Sequence, residues 1–368
     1  MPPIDRIRPE VRAERAYRVP TTTDAEAKVD QNESPFGLPQ EVVEAAIEAA
    51  RQAPWNRYPD DRPHQLVAAL AERLGLARES IIVGHGSNEI AHTVGLCFLE
   101  RDTPVVLPHP MFALYGSVAR MHGARIVEVD PGDRFAHDAD AILAAAVDAD
   151  AALTIVTTPN NPTGQSIPHA DLVRLAEGVP GVLLVDEAYH EFVTGPTALD
   201  LVKRFDNVLV MRTFSKAMGM AGVRLGLLLG APDLIQEIEK ARVPFLVDRW
   251  GEALGLAMLD RADLVADRVR QLVDGREALF AWMSGLEGVE AIPSDANFFL
   301  FRTPLDAAAL REKMAARGVL IRDVSGYPAL AARGGTPGWT RVSVGTAAEN
   351  AAFREALTAV LDEEGVAA

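Results

Sequence analysis

Short, almost uniformly apolar runs alternate along this chain with longer stretches whose apolar residues recur every three to four positions. The short runs are SIIVG at 80–84, TPVVLP at 103–108, ARIVEV at 124–129, ALTIVTT at 152–158, GVLLVDE at 181–187, NVLVMRT at 207–213 and RLGLLLG at 224–230. They predict strands, and most are too apolar to leave one face in water, so the sheet is expected to be covered on both faces. Helix-length amphipathic stretches fill most of the gaps. That alternation predicts an α/β fold with a mainly parallel sheet and helices on both faces.

After about residue 245 the pattern changes. RADLVADRVRQLVDGREALFAWMSGL predicts one long helix, followed by a strand NFFLFRT, a helix AAALREKMAARG, and strands VLIRD and RVSVG. This reads as a smaller α+β unit. The expected partition is an N-terminal arm with part of the small unit at 1–45, a large unit at 46–245 and the small unit at 246–368.

Composition narrows the function classes. The 368 residues are 48% apolar and 24% charged, ordinary values for a globular protein. A net charge of −16 argues against broad nucleic-acid binding. Cys97 is the single cysteine, which excludes an intrachain disulfide and fits a reducing compartment. The first twenty residues, MPPIDRIRPEVRAERAYRVP, lack the apolar core of a signal peptide, and no apolar run approaches the ~18 residues of a membrane span. A soluble, cytoplasmic protein is expected.

In open α/β sheets ligands bind beyond the carboxyl ends of the strands, so the residues just after each strand are the first place to look. After SIIVG comes a turn with Gly86, Ser87 and Asn88, whose free N–H groups and helix dipole suit a phosphate. After TPVVLP come Phe112 and Tyr115. After ALTIVTT come Asn160 and Asn161, after GVLLV come Asp186 and Tyr189, and after NVLVM comes RTFSK, ending at Lys216 with Arg224 eight residues on. Lys216 lies among small residues and hydroxyls, where a lysine is desolvated and acts as an amine. Pyridoxal phosphate needs this whole set: an amine for its aldehyde, a buried carboxylate for its ring nitrogen, an anion turn with hydroxyls and an arginine, and an aromatic plate. Taken singly, each residue has an ordinary use as a helix cap, turn or core residue; their joint placement at strand ends carries the reading. No G-x-x-x-x-G-K-[ST], H-E-x-x-H or G-x-S-x-G occurs, Gly84-His85-Gly86 lacks the third glycine of a dinucleotide fingerprint, and the eight histidines show no metal-ligand spacing.

With DQNESPFGLP at 30–39, NRYPD at 56–60, VGHGSNEI at 83–90, PNNPTG at 159–164, VDEAYHEF at 185–192, RTFSKAMGMAGVRLG at 212–226, GVLIRD at 318–323 and RVSVG at 341–345, the chain resembles the fold-type I, class I/II pyridoxal-phosphate aminotransferases. It is most similar to their histidinol-phosphate branch. The resemblance implies that Lys216 binds the cofactor covalently and moves the substrate proton, that Asp186 pairs with the ring nitrogen, and that Tyr189 and Asn161 bond the ring oxygen. It implies Phe112 as the stacking plate and Gly86, Ser87, Asn88, Thr213, Ser215 and Arg224 around the phosphate. Tyr58 would reach that phosphate from a second subunit, which requires a homodimer. Arg341 would clamp the substrate's carboxylate, with Arg322, Tyr17 and Asn32 closing over the substrate. The implied reaction is transamination of L-histidinol phosphate with 2-oxoglutarate in histidine biosynthesis.

Two related reactions use the same cofactor residues: threonine-phosphate decarboxylation and aromatic amino-acid transamination. VPFLVDRWGEA at 243–253 departs from the asparagine-containing stretch of the histidinol-phosphate branch, and its Asp248 and Trp250 bear on substrate choice. Such domains also serve as effector-binding halves of transcription regulators. About thirty residues precede DQNESPFG, too few for a winged helix, and the acidic charge points the same way.

Overall fold

The computed structural model describes residues 2–16, 25–332 and 335–365. Its strands in chain order are β1 (Ala27–Lys28), β2 (Ile81–Gly84), β3 (Pro104–Pro108), β4 (Arg125–Val129), β5 (Leu153–Thr157), β6 (Val182–Asp186), β7 (Val208–Thr213), β8 (Gly226–Leu229), β9 (Glu290–Ala291), β10 (Phe298–Arg302), β11 (Val319–Leu320), β12 (Arg322–Asp323) and β13 (Thr340–Ser343).

Strands β2 to β8 form one sheet in the order β2-β8-β7-β6-β5-β3-β4. β3 to β7 pair in parallel, whereas β8 runs antiparallel to both β7 and β2. The α/β, mainly parallel arrangement expected from the pattern is therefore what forms. Strand β7 shows why its residues had to be apolar throughout. Side chains alternate between the faces of a sheet, so Val208 and Val210 enter one core and Leu209 and Met211 the other. Helices Ser87–Phe98 and Ala113–His122 cover one face; helices His64–Leu74, Ala139–Ala149 and His169–Gly178 cover the other.

The small unit is built on an antiparallel sheet, β12-β13-β10-β9, beside a parallel pair made by β1 and β11. The N-terminal segment thus supplies a strand to the C-terminal unit. Phe298, Phe299, Phe301 and Phe353 fill the core, and helix Ala347–Glu363 starts from a capping box between Thr346 and Glu349. One expectation fails here. VLIRD is not a single strand: Ile321 turns into the core between β11 and β12, so the residues on its two sides pair with different sheets.

The partition expected at 245/246 falls just before helix Arg249–Leu259. That helix lies against helices Gln40–Gln52 and His64–Leu74, and Val247, Met258 and Leu259 join the core of the large sheet. The 45/46 boundary likewise falls inside helix Gln40–Gln52. Among the described residues no helix is long and apolar enough to cross a membrane.

Phe353 is 1% exposed and meets the ring of Phe301 edge-on at 5.9 Å. Phe353→Ala leaves a cavity that the neighbouring rings fill only in part, and is expected to cost about 3–5 kcal/mol. Urea denaturation checks this; a loss below about 1 kcal/mol would mean that the small unit does not depend on this cluster.

Candidate active site

The reversal of β8 assembles one end of the site. Its first residue, Gly226, lies opposite Gly84 of β2 and opposite Thr213 of β7, so three chain segments meet at one edge. Beyond Gly84 the chain turns through Gly86, at φ +80°, into helix Ser87–Phe98. A Cβ on Gly86 would stand 2.4 Å from Nη2 of Arg224, and one on Gly226 would stand 2.4 Å from the backbone nitrogen of Ser87. Both glycines are there because the guanidinium and the helix start press against them. Arg224 takes a left-handed φ of +62° and donates through Nη1 to the carbonyl of Ala221 at 2.9 Å. Beside it, the buried hydroxyls of Thr213 and Ser215 lie 3.0 Å apart. A helix N-terminus, a guanidinium and two hydroxyls make a cradle for a phosphate. Ser87 is half-buried and Asn88 exposed at that helix start.

Asp186, at the end of β6, is 8% exposed. Its Oδ2 accepts from the Tyr115 hydroxyl at 2.6 Å and its Oδ1 from the backbone N–H of Ala188 at 3.0 Å. Burial pushes its pKa up to about 6, against the lowering effect of those two hydrogen bonds. Burial and the neighbouring Asp186 charge together hold the Tyr115 phenol well above its ordinary value. A buried carboxylate in this condition is suited to a cationic N–H, such as a pyridinium.

Lys216 shows the opposite shift. Burial first, then the Arg341 guanidinium, bring its pKa down to about 8, so a minor but appreciable fraction of the amine is uncharged near neutral pH. Its Nζ donates to the carbonyl of Gln31 at 3.1 Å and lies 5.7 Å from the centre of the Tyr189 ring. Burial raises the Tyr189 phenol to about 12, and its oxygen accepts from Asn32 Nδ2 at 3.0 Å. Asn32, at a left-handed φ of +54°, is gripped on every side: its N–H donates to Ser343 Oγ, its Oδ1 accepts from the same hydroxyl, and its carbonyl accepts from Asn297. Asn161 Oδ1 accepts from Arg341 Nη1 at 2.6 Å, and Arg341 Nη2 donates to the carbonyl of Asp30 at 2.9 Å. Arg322 of β12 sits directly opposite Arg341 of β13. Like charges facing across a strand pair repel, and an anion between them relieves that.

Of the residues singled out from the sequence, the fold gathers Gly86, Ser87, Thr213, Ser215 and Arg224 at one end, with Asp186 on the adjacent strand. Lys216, Tyr189, Asn161, Asn32, Arg341 and Arg322 lie at the other end. Phe112 is half-buried with its ring edge-on to Tyr115 at 6.3 Å. Tyr58 is 77% exposed and stacks on Phe245 at 4.8 Å. Tyr17 lies outside the described residues. Asp248 caps helix Arg249–Leu259 by accepting from Gly251 N–H at 2.6 Å, and Trp250 pairs with Trp55 at 6.2 Å, so both residues have structural work.

Several supporting contacts carry no clear mark in the sequence. Tyr115 is visible there as a strand-end aromatic, but nothing in the spacing joins it to Asp186. Asn160, fully buried, donates to the carbonyl of Pro110 and to Thr163, tying the PNNPTG turn to the loop after β3. Glu187 and Arg212 form a buried pair at 2.7 Å directly behind Asp186 and Thr213. Both flank the residues singled out, and that adjacency is their one signal. Among the described residues no group of three His, Cys, Asp or Glu could hold a metal.

Asp186 gives the cofactor-free protein a pH signature. Its folded pKa of about 6 lies above the usual 3.8, so the folded state holds that proton more tightly than the unfolded chain. Stability is therefore lost as pH rises from about 4 to about 6, by up to about 3 kcal/mol. Asp186→Asn should flatten that part of the profile; denaturation midpoints that fall equally in both proteins would refute the buried charge.

The sequence and the fold can be set beside known proteins. The family model described as aminotransferase class I and II matches residues 27–358. Histidinol-phosphate aminotransferase of Chlorobaculum tepidum is 39% identical over 312 residues, 85% of this chain and 89% of that protein. The crystal structure of histidinol-phosphate aminotransferase from Sinorhizobium meliloti, in complex with pyridoxal-5'-phosphate, superposes with a TM-score of 0.84 at 27% identity, covering 97% of this chain and 98% of that one. L-threonine-O-3-phosphate decarboxylase from Porphyromonas gingivalis shares the fold, with a TM-score of 0.77 at 22% identity, over 91% of this chain and 99% of that one. With an amine, a buried carboxylate and an anion cradle set along the strand ends, and a family match spanning nearly the whole chain, the protein belongs to the aminotransferase class I and II family.

Proposed function

We propose that the chain is a pyridoxal-phosphate-dependent transaminase that converts L-histidinol phosphate and 2-oxoglutarate to imidazole acetol phosphate and L-glutamate. The observation that carries this is the order of groups across the site: anion cradle, buried carboxylate, desolvated lysine, then two facing arginines. Pyridoxal phosphate held there supplies an aldehyde that condenses with amines and a ring that accepts the electron pair left at Cα.

The chain's own residues do the rest. Ser87, Thr213, Ser215 and Arg224 hold the phosphate and so fix the cofactor's position, with Asn88 at the rim. Asp186 keeps a proton on the ring nitrogen, and Tyr115 holds that carboxylate in place. Lys216, partly uncharged at neutral pH, would take the Cα proton and hand it to the aldehyde-derived carbon of the bound cofactor. Tyr189 and Asn161 donate to the ring oxygen, while Asn32 steadies the Tyr189 hydroxyl. Arg341 and Arg322 bind the second anion, the phosphate of histidinol phosphate in one half-reaction and a carboxylate of 2-oxoglutarate in the other. Phe112 covers the ring face. The curated relative in Chlorobaculum tepidum supports histidinol phosphate over the decarboxylase substrate, whose enzyme shares the fold alone.

We further propose a homodimer in which Tyr58 completes the neighbour's phosphate site. Trp55, Tyr58, Phe245 and Trp250 are each at least 40% exposed and meet in two ring pairs, Tyr58 stacked on Phe245 and Trp55 tilted against Trp250, exposed apolar surface suited to a second copy.

Two experiments test these readings. L-histidinol phosphate added alone to the cofactor-loaded protein should convert its absorbance to that of the amine form of the cofactor, and 2-oxoglutarate should restore it. In Lys216→Ala that conversion should fall by at least about a thousandfold while the fold survives; near-normal turnover in the variant would overturn the assignment. For the dimer, Lys216→Ala and Tyr58→Phe proteins, each weak alone, should recover about a quarter of wild-type activity when unfolded and refolded together in equal amounts, because half the dimers then carry one intact site. No recovery would place Tyr58 outside a shared site.

A further inference from the structure

The helix whose start forms part of the phosphate cradle, Ser87–Phe98, carries an acid in its first turn, Glu89. A carboxylate there suits a helix on its own, because that end is positive. Beside a phosphate it becomes a second anion drawn to the same end, and the two repel. The cradle therefore holds a charge that must be cancelled, and the fold brings in a distant residue to do so.

Glu89 is folded back over the turn that follows β2. Its Oε2 accepts from the His85 N–H at 3.1 Å and its Oε1 from the Thr93 hydroxyl at 2.9 Å. A Cβ on Gly84 would stand 2.4 Å from that Oε2, so the carboxylate lies directly on the end of the strand. Arg242, just beyond helix Pro232–Glu239, meets it from 153 residues along the chain. Its Nη2 lies 3.4 Å from Glu89 Oε2 and donates to the Val83 carbonyl at 3.0 Å. The two side chains are 9% and 19% exposed, so water screens this pair less than it would an exposed one. Arg224 has a different place: it donates to the Ala221 carbonyl and lies against Gly86, in the cradle itself. One arginine thus faces the phosphate position, and the other is paired with the acid behind it.

We propose that Arg242 is a positioning residue for cofactor binding that acts through Glu89. It cancels the charge of the acid, and by holding Glu89 and Val83 together it fixes the Gly84–Gly86 turn in the shape that receives a phosphate. The inference rests on the reading of this turn as the phosphate cradle. Without Arg242 the acid would stand unpaired at the helix start, and the cofactor's phosphate would bind against it.

The test dialyses the full chain to equilibrium against graded pyridoxal phosphate, and separately against pyridoxal, the same aldehyde without the phosphate. Bound ring is read by its absorbance. Arg242→Met, which keeps an unbranched side chain but no charge, should bind pyridoxal phosphate at least about tenfold more weakly than wild type. It should bind pyridoxal within about twofold of wild type, which also shows that the variant is folded. Adding Glu89→Gln removes the acid, and the double variant should return to within about threefold of wild type for pyridoxal phosphate, a recovery that a merely structural role does not give. The proposal is overturned if Arg242→Met binds pyridoxal phosphate as wild type does, if pyridoxal is weakened to the same extent, or if the double variant binds tenfold or more below wild type. That last measurement decides alone if the single variant does not fold. A wild-type chain that binds pyridoxal phosphate no tighter than pyridoxal is a distinct outcome, which overturns the reading of the cradle itself.

Discussion

Asp186 is a carboxylate taken out of water on the end of a central strand, and much of the surrounding structure answers to that fact. Burial disfavours its charge; the Tyr115 hydroxyl and the Ala188 N–H restore part of what water would have given. Tyr115 can reach it because the loop after β3 is pinned by Asn160, whose side chain bonds the carbonyl of Pro110. Behind it, Glu187 points its own charge away into a pair with Arg212. Two adjacent acids are thus given different tasks, one satisfied within the protein and one kept for a ligand. The lysine across the site is shifted the other way by the same cause, and the arginines around it reinforce the shift. A site whose acid and base are both moved toward neutrality by burial is one built to receive a charged partner and to exchange a proton with it.

Much of this was legible in the sequence because strand ends are legible. Each apolar run of β2 to β7 is followed within a few residues by a polar or aromatic group; parallel pairing brings the ends of β3 to β7 to one edge, and the antiparallel β8 sets β2 in the same direction. The anion cradle could be read from Gly86 and Ser87 for the same reason. The contribution of Arg224 could be placed by the resemblance, but its physical cause was hidden. It reaches the cradle because β8 is antiparallel, and an apolar run carries no mark of direction. Tyr115 was hidden in another way: its partner lies 71 residues on, and only the sheet order brings them together. The split of VLIRD at Ile321 escaped because an apolar residue between two short strands has the same pattern as one inside a longer strand.

The two units are tied at the site rather than merely adjoining it. Arg341 and Ser343 come from β13, Asn161 and Tyr189 from the large unit, and the short stretch Asp30-Gln31-Asn32 lies between them. Its successive backbone and side-chain groups meet Arg341, Lys216, Tyr189 and Ser343 in turn. Arg341 spans the same junction through Asn161. Closing the small unit onto the large one and arranging the amine are therefore one event in this protein.

That stretch has a consequence for the order in which the molecule can be made. Asn32 leaves the ribosome well before Ser343, which grips it through two hydrogen bonds and is made 311 residues later. The sheet β2 to β8 can pair during synthesis, since all its strands lie before residue 230. β1 must wait for β11 and then for β13. Until the carboxyl-terminal strand emerges, the nascent chain can hold a nearly complete phosphate cradle while the segment above its lysine has nothing to fasten to.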